Sequence, residues 1–312
     1  MSNSIALAAK YLPRIDAVYK KESKTALLDT TGDRVMFTGA KTAYVFKTAV
    51  DGLGDYARNG GYVKGDVTST WEALTLDYDR GREFNVDRFD NEETLDMAFG
   101  TVIGEFLRTK VIPECDAIRL AKYALNAGTK VNADLSTSAN VLAAIDTAEA
   151  TLGDLEVPDE GRIIYVSENV YKLLKGGITR MLKNEGTVNR AVEYFDGMEV
   201  VRVPKPRFNV DPTIATKGIL LNDGTTSGQT GGGFKFAASD SYGINFMIVH
   251  PTAVCQVVKH ALPKIFSPEI NQDSDSWKLQ YRIYHAVEVY DNKTTGIYCH
   301  RAATANAADI TG

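Results

Sequence analysis

The chain has 312 residues, 44% hydrophobic and 24% charged, enough for a buried core without disulfides or metal. Its net charge of −5 excludes a reader of nucleic-acid sequence, which needs clustered Lys and Arg to neutralise phosphates. Cys115, Cys255 and Cys299 are odd in number and widely spaced, which argues against a disulfide scaffold or zinc knuckle, and residues 1–12 carry no apolar run of the length a signal or membrane span needs.

Over residues 1–30, Ile5, Leu7, Leu12, Ile15, Val18 and Tyr19 fall at helix-like spacing among basic residues, and the run breaks at Thr30-Thr31-Gly32-Asp33. An arm with a short helix is expected. Up to residue 47, eight basic residues stand against four acids, a net of +4. Residues 42–50 are β-branched and aromatic enough for a strand, and the Gly-rich stretch 52–65 follows as a loop.

Between residues 67 and 88, Leu74, Leu76 and Tyr78 alternate with polar residues, as do Phe84 and Val86, and Asp79-Arg80-Gly81-Arg82 reads as the turn of a long hairpin. Residues 62–93 hold nine acids and four basic residues, a net of −5. Two strands of about ten residues reach roughly 33 Å, and an isolated hairpin of that length is marginally stable. Its apolar face needs a further surface, which a second copy of the chain can supply.

Asp90-Asn91-Glu92-Glu93 reads as a capping box opening a long helix. In it Leu95, Phe99, Val102, Ile103, Phe106, Leu107, Val111, Ile118, Ala121 and Leu125 keep the 3.6 period to about Asn126, with a kink or interruption expected at Pro113. From residue 136 the pattern is compact α/β: a helix over 138–151, a strand over 162–166, a helix over 168–174 ended by Gly176-Gly177, two strands turning at Asp196-Gly197, and a strand over 218–221. Residues 222–233 read as a flexible loop. Strands follow at 245–249, 253–259, 277–290 and 296–300, and these are grouped with the long helix.

Gly52-Leu53-Gly54-Asp55-Tyr56-Ala57, with Asp77 downstream, matches a dinucleotide-binding pattern, but no helix opens after it to receive a pyrophosphate. Gly231-Gly232-Gly233-Phe234-Lys235 lacks the Gly-Lys-Ser/Thr of a phosphate loop. His250, His260, His285 and His300, with Cys255 and Cys299, show no metal-ligand spacing and sit in strand-like runs. Ser167 reads as a helix cap, Cys115 as a core thiol, and Asp87, Asp90, Glu92 and Glu93 as capping acids. No catalytic, cofactor or metal site is expected.

The order of basic arm, acidic hairpin, long helix, compact α/β insertion and returning strands resembles the Hong-Kong-ninety-seven-type capsid fold of tailed-phage major capsid proteins, an α+β fold. Gly52-Leu53-Gly54-Asp55-Tyr56, residues 67–71, Thr75-Leu76, the stretch from Asp79-Arg80-Gly81-Arg82 to Asp87, and Glu93-Thr94 are similar to that group, most specifically over residues 52–125. The resemblance implies an N-terminal arm and lead-in strand over 1–61, an E-loop hairpin over 62–90, a P-domain with a spine helix over 91–132 and 245–312, and an A-domain over 133–244. It implies a shell subunit and not an enzyme, with pentamers and hexamers of one chain closing an icosahedral head around double-stranded DNA.

Contacts between copies then fall to Trp71, Leu74, Leu76, Tyr78, Arg80, Arg82, Phe84 and Val86 of the E-loop and to Lys10, Arg14, Lys20, Lys21 and Lys24 of the arm. Asp223, Gly224, Gly228 and Gly231 are implied in a loop at the capsomer centre. The implied partners are a scaffolding protein, a portal and non-specifically touched DNA, without a membrane; the implied location is the virion, after assembly in the host cytoplasm. With Arg80 and Arg82 at the hairpin tip and Lys64 only at its base, a shell without the lysine isopeptide weld of some relatives is expected. The arm begins almost at Met1, which implies a separate scaffold or an earlier cleavage. An encapsulin, a cellular cargo compartment of the same fold, is the first alternative, separated by particle size and contents. The second is an α/β hydrolase or nucleotide-binding enzyme within residues 130–245, for which no nucleophile, base or phosphate loop assembles.

Overall fold

The computed structural model describes residues 23–29, 36–38, 42–56, 58, 62–88, 104–177 and 192–312. β1 (Met36–Thr38), β2 (Thr42–Val50) and β3 (Val67–Thr75) make an antiparallel sheet of their own, with Thr42 opposite Thr75 and Val50 opposite Val67. β4 (Tyr78–Asp87) follows after Leu76 and Asp77 but leaves that sheet. From residue 104 the described chain is helical, passes through a π turn at Leu107–Val111 and continues as α1 (Ile112–Leu125). Then come β5 (Thr129–Asn132), α2 (Ser138–Asp154), β6 (Ile163–Ser167), α3 (Glu168–Gly177), β7 (Tyr194–Phe195) and β8 (Met198–Val203). The short β9 (Asn209–Val210), β10 (Leu220–Leu221) and β11 (Phe234–Phe236) precede the longer β12 (Tyr242–Val249), β13 (Val254–Phe266) and β14 (Ser276–Val289). β15 (Ile297–Arg301) and β16 (Ile310–Thr311) follow.

β5, β15, β12, β6, β8 and β7 lie side by side in a mixed sheet, to which β9 adds by pairing with β12. Successive side chains of a strand point to opposite faces, and both faces of this sheet are covered. On one face Ile164, Val166, Phe246 and Ile248 meet Val141, Ile145 and Leu152 of α2 and Val170 and Leu174 of α3. On the other, Ile163, Tyr165, Met247 and Val249 meet Ile118, Ala121 and Tyr123 of α1. Burial on both faces is why β6 and the end of β12 read as unbroken apolar runs. The Thr137 hydroxyl starts α2 by accepting the Asn140 N–H at 3.2 Å.

β13 and β14 form a long antiparallel ribbon, and β4 adds to β14 with Tyr78 opposite His285 and Asp87 opposite Ser276. Leu279, Tyr281 and Ile283 of β14, with Phe84 and Val86 of β4, pack against Phe106, Leu107, Val111 and Cys115 of the helical run. Cys115, Cys255 and Cys299 are buried and form no disulfide.

The hairpin expected across residues 67–88 is corrected. Arg80, Gly81 and Arg82 lie inside β4, opposite Ile283, Arg282 and Tyr281, and make no turn. Tyr78, Arg80, Phe84 and Val86 are buried or half-buried while Asp79, Gly81, Glu83 and Asn85 are exposed, so the alternation passes Gly81 without inversion, as it does along one strand. The hairpin that forms is β2–β3, and residues 52–65, read from sequence as a loop after the lead-in strand, lie between its two strands in the sequence.

The interruption expected at Pro113 takes the form of the π turn immediately before it; the backbone stays right-handed helical at Val111 and Ile112. β12 and β15 pair with β6 and β5, so the boundary drawn at residue 245 runs through the central sheet. The capping box Asp90–Glu93 and the apolar positions Leu95, Phe99, Val102 and Ile103 lie outside the described residues.

Candidate functional site

β2 and β3 pair over nine residues each, a reach of about 30 Å at the usual rise per residue. Asp51 and Asp66 close the ladder at the tip: the Asp51 N–H donates to the Asp66 carbonyl at 3.2 Å, and the Asp66 N–H to Asp51 Oδ2 at 2.7 Å. Beyond them the rings of Tyr56 and Tyr62 meet edge to face at 5.0 Å. Val50, Leu53, Tyr56, Val63 and Val67 are exposed, with Tyr62 at 89% and Trp71 at 54%. Exposed apolar side chains on one hairpin make it a candidate interaction surface. Lys64 lies exposed in this tip, which removes the ground on which a shell without a lysine weld was expected.

The residues expected to meet other copies land in different places. Trp71 lies exposed on β3; Leu74 is on the same strand, its side chain outside the described set. Leu76 is buried against Cys255, Ala286 and Tyr290. Tyr78 is buried and stacked on His285, ring centroids 5.1 Å apart. Phe84 packs edge to face on Phe106 at 4.8 Å, and Val86 joins the same cluster. Arg80 Nε donates to Glu114 Oε1 at 2.6 Å, Nη1 to the Asn222 carbonyl at 2.8 Å, and Nη2 to the Gly233 carbonyl at 3.2 Å. Arg82 donates to the Thr230 carbonyl at 3.1 Å. Leu76, Tyr78, Arg80, Arg82, Phe84 and Val86, expected to meet other copies, are thus engaged within one chain by β14, the helical run and the loop of residues 222–233.

That loop, read from sequence as flexible, is tied to β4 by the two arginines. Asp223 accepts from the Thr226 hydroxyl and from the Thr226 and Thr225 N–H groups, both at 2.8 Å, and these bonds hold its carboxyl down to about 2. Gly224 and Gly228 take positive φ, and Gly231 lies in the same turn-rich stretch with open space beside its Cα.

Lys10, Arg14, Lys20 and Lys21 of the arm lie outside the described residues. Lys24 belongs to a segment, residues 23–29, that α1 and β13 hold through a polar clasp which the sequence reading missed. Asp116, fully buried on α1, accepts from Ser23 Oγ at 2.8 Å, Lys24 N at 3.0 Å, Thr25 Oγ1 at 2.8 Å and Arg207 Nη1 at 3.2 Å. Arg119, one turn on, donates to Thr25 Oγ1 at 2.8 Å and pairs with Asp29 at 3.5 Å. Burial pushes the Tyr123 phenol well up, so it stays a donor and gives its proton to Gln256 Oε1 at 2.8 Å. This fixes the Gln256 amide, whose Nε2 donates to the Thr25 carbonyl at 2.6 Å and to Asp29 Oδ1 at 2.7 Å. The available signal was spacing: Asp116, Arg119 and Tyr123 recur at helical intervals among the buried residues of α1, where a polar side chain needs a partner.

Among the described residues no helix is long and apolar enough to cross a membrane, and no cluster of His, Cys, Asp and Glu has the make-up of a metal site.

No protein-family model matches the chain, and no curated protein matches it significantly by sequence. Solved structures do match. The capsid structure of the cyanophage P-SCSP1u aligns at a TM-score of 0.59 and 12% identity, over 89% of this chain and 87% of that one. Gordonia phage Cozz aligns at a TM-score of 0.56 and 10% identity, over 90% and 86%. The mature capsid of bacteriophage PhiM1 aligns at a TM-score of 0.53 and 16% identity, over 84% and 82%. Matches of this extent at such low identity establish shared architecture, and the chain has the Hong-Kong-ninety-seven-type capsid fold.

Proposed function

We propose that this chain is a major capsid protein, the subunit that joins copies of itself into pentamers and hexamers and closes them into the icosahedral head of a tailed phage. The observation that carries the proposal is the β2–β3 hairpin: a projecting element with Leu53, Tyr56, Tyr62, Val63 and Trp71 exposed, on a chain of capsid fold. Burying apolar surface contributes about 25 cal/mol per Å², so several such side chains laid on a neighbouring subunit supply a substantial part of the contact. In this reading the intersubunit hairpin spans residues 42–75, and Trp71 and Leu74 are its members from the original set. The clasp holds residues 23–29, and Lys10, Arg14, Lys20 and Lys21, which precede it in the sequence, are assigned to contacts with neighbouring subunits or packaged DNA. The loop of Asp223, Gly224, Gly228 and Gly231, held at its base by Arg80 and Arg82, offers its outer edge to further copies. A scaffolding protein and a portal complete the head, and its location is the virion, assembled in the host cytoplasm.

Electron microscopy of the purified chain tests this directly. Closed shells, tubes or capsomers are expected; a species that stays monomeric across the assembly conditions tried contradicts the proposal. Particles filled with protein cargo in place of DNA would favour the compartment reading.

A further inference from the structure

Residues 23–29 meet the body of the chain through groups that read one short stretch of sequence. Thr25 is fully buried and engaged at every polar atom it has. Its N–H and its hydroxyl donate to Asp116 Oδ1 at 3.4 and 2.8 Å, the hydroxyl accepts from Arg119 at 2.8 Å, and the carbonyl accepts from Gln256 at 2.6 Å. A hydroxyl can donate and accept at once, which is what this position uses. Ser23 Oγ and the Lys24 N–H add to the same carboxylate. Leu28 is the buried apolar anchor of the segment, and Leu27 beside it is half exposed. The receiving groups are themselves set by bonds inside the body: the Tyr123 phenol orients the Gln256 amide, and Arg207 pairs with Asp116 at 3.2 Å.

We propose that Asp116, Arg119, Arg207 and Gln256 form a peptide-docking site that takes residues 23–29 of a second copy as well as the chain's own. The proposal rests on the capsid reading for the supply of that copy. With the segment lifted away Asp116 keeps Arg207 and Gln256 keeps Tyr123, so the site survives release of its occupant. A segment exchanged between copies makes the same contacts as the original, and the two arrangements differ only in how it is tethered. Subunits held side by side raise the local concentration of each other's segments, which offsets the advantage of the chain's own tether. Exchange of this kind links one subunit to the next through contacts already built into each.

A labelled peptide of residues 22–30, standing for a neighbour's segment, is titrated by fluorescence anisotropy onto the full-length double variant Ser23→Ala, Thr25→Val, whose own segment has lost both hydroxyls. Saturable binding is expected there, with weaker binding to the wild type, whose own segment competes. Adding Asp116→Asn is expected to weaken binding about tenfold or more, since several bonds to a charged acceptor are lost. Hydrogen exchange of the double variant should show residues 23–29 unprotected and α1 protected as in the wild type. The titration reads single chains, so its failure is distinct from a failure to form shells. Lack of saturable binding to the double variant overturns the proposal, as does equal affinity for the wild type or after Asp116→Asn. Retained protection of residues 23–29 in the double variant, or collapse of its fold, also overturns it, because a preformed site outlasts the release of its occupant.

Discussion

Arg80 shows how a residue that looks like a surface contact serves the interior of its own chain. Its guanidinium joins β4, Glu114 of α1 and both ends of the 222–233 loop. Arg80→Ala is expected to destabilise the fold by about 2–4 kcal/mol, since a partly buried carboxylate and two carbonyls lose a charged donor. Arg82→Ala, which loses one exposed contact, should stay within about 0.5 kcal/mol. Urea denaturation of the two variants checks the contrast. Buried His285 is a second case: burial first, and then Arg119 and Arg80, hold its imidazole down to about 3 from an ordinary 6.5. Between those values the unfolded chain binds a proton that the folded chain refuses, so stability falls as the pH is lowered through that window, by up to about 1.4 kcal/mol per unit. His285→Phe keeps a ring against Tyr78 and is expected to flatten the urea midpoint between pH 6.5 and 4; an unchanged slope contradicts this assignment.

At the scale of elements, the arm clasp makes α1 an anchor as well as a core helix. Asp116→Ala is expected to release residues 23–29 at a cost of roughly 3 kcal/mol, because Ser23, Lys24 and Thr25 then lose their shared acceptor and Arg207 loses its carboxylate. Loss of hydrogen-exchange protection at Lys24 and Thr25, with α2 and α3 unchanged, is the expected readout. Elements set by local signals were legible in the sequence: α2, the Asp196-Gly197 turn, α3 and the unbroken apolar run of β6. The partner of β4 was not, because β14 lies far along the chain and nothing local states which strand an alternating segment joins. Gly81 drew the turn reading, although the unbroken parity of Tyr78, Phe84 and Val86 pointed to one strand. The clasp stayed hidden for a related reason: Ser23, Thr25 and Gln256 are unremarkable in sequence and gain their role only when the fold brings them to Asp116.

For the whole molecule, the order of arm, extended hairpin, long helix, α/β sheet and returning ribbon was readable, and the position of the hairpin moved. β4 pairs with β14 while β2–β3 belong to a separate sheet, so the contact with other copies proposed above moves from the acidic stretch first assigned to it to the exposed aromatic and aliphatic residues of the β2–β3 tip. The charge contrast between arm and residues 62–93 loses part of its weight, since Asp79 and Glu83 are matched within the chain by Arg282 and Lys278. The most direct measurement is sedimentation velocity of a variant in which residues 53–64 are replaced by a short Gly-Ser turn, beside the wild type under the same assembly conditions. The wild type should sediment as capsomers or closed shells, and the variant as a small species with native circular dichroism. Assembly of the variant to wild-type particles would contradict the role given to the hairpin.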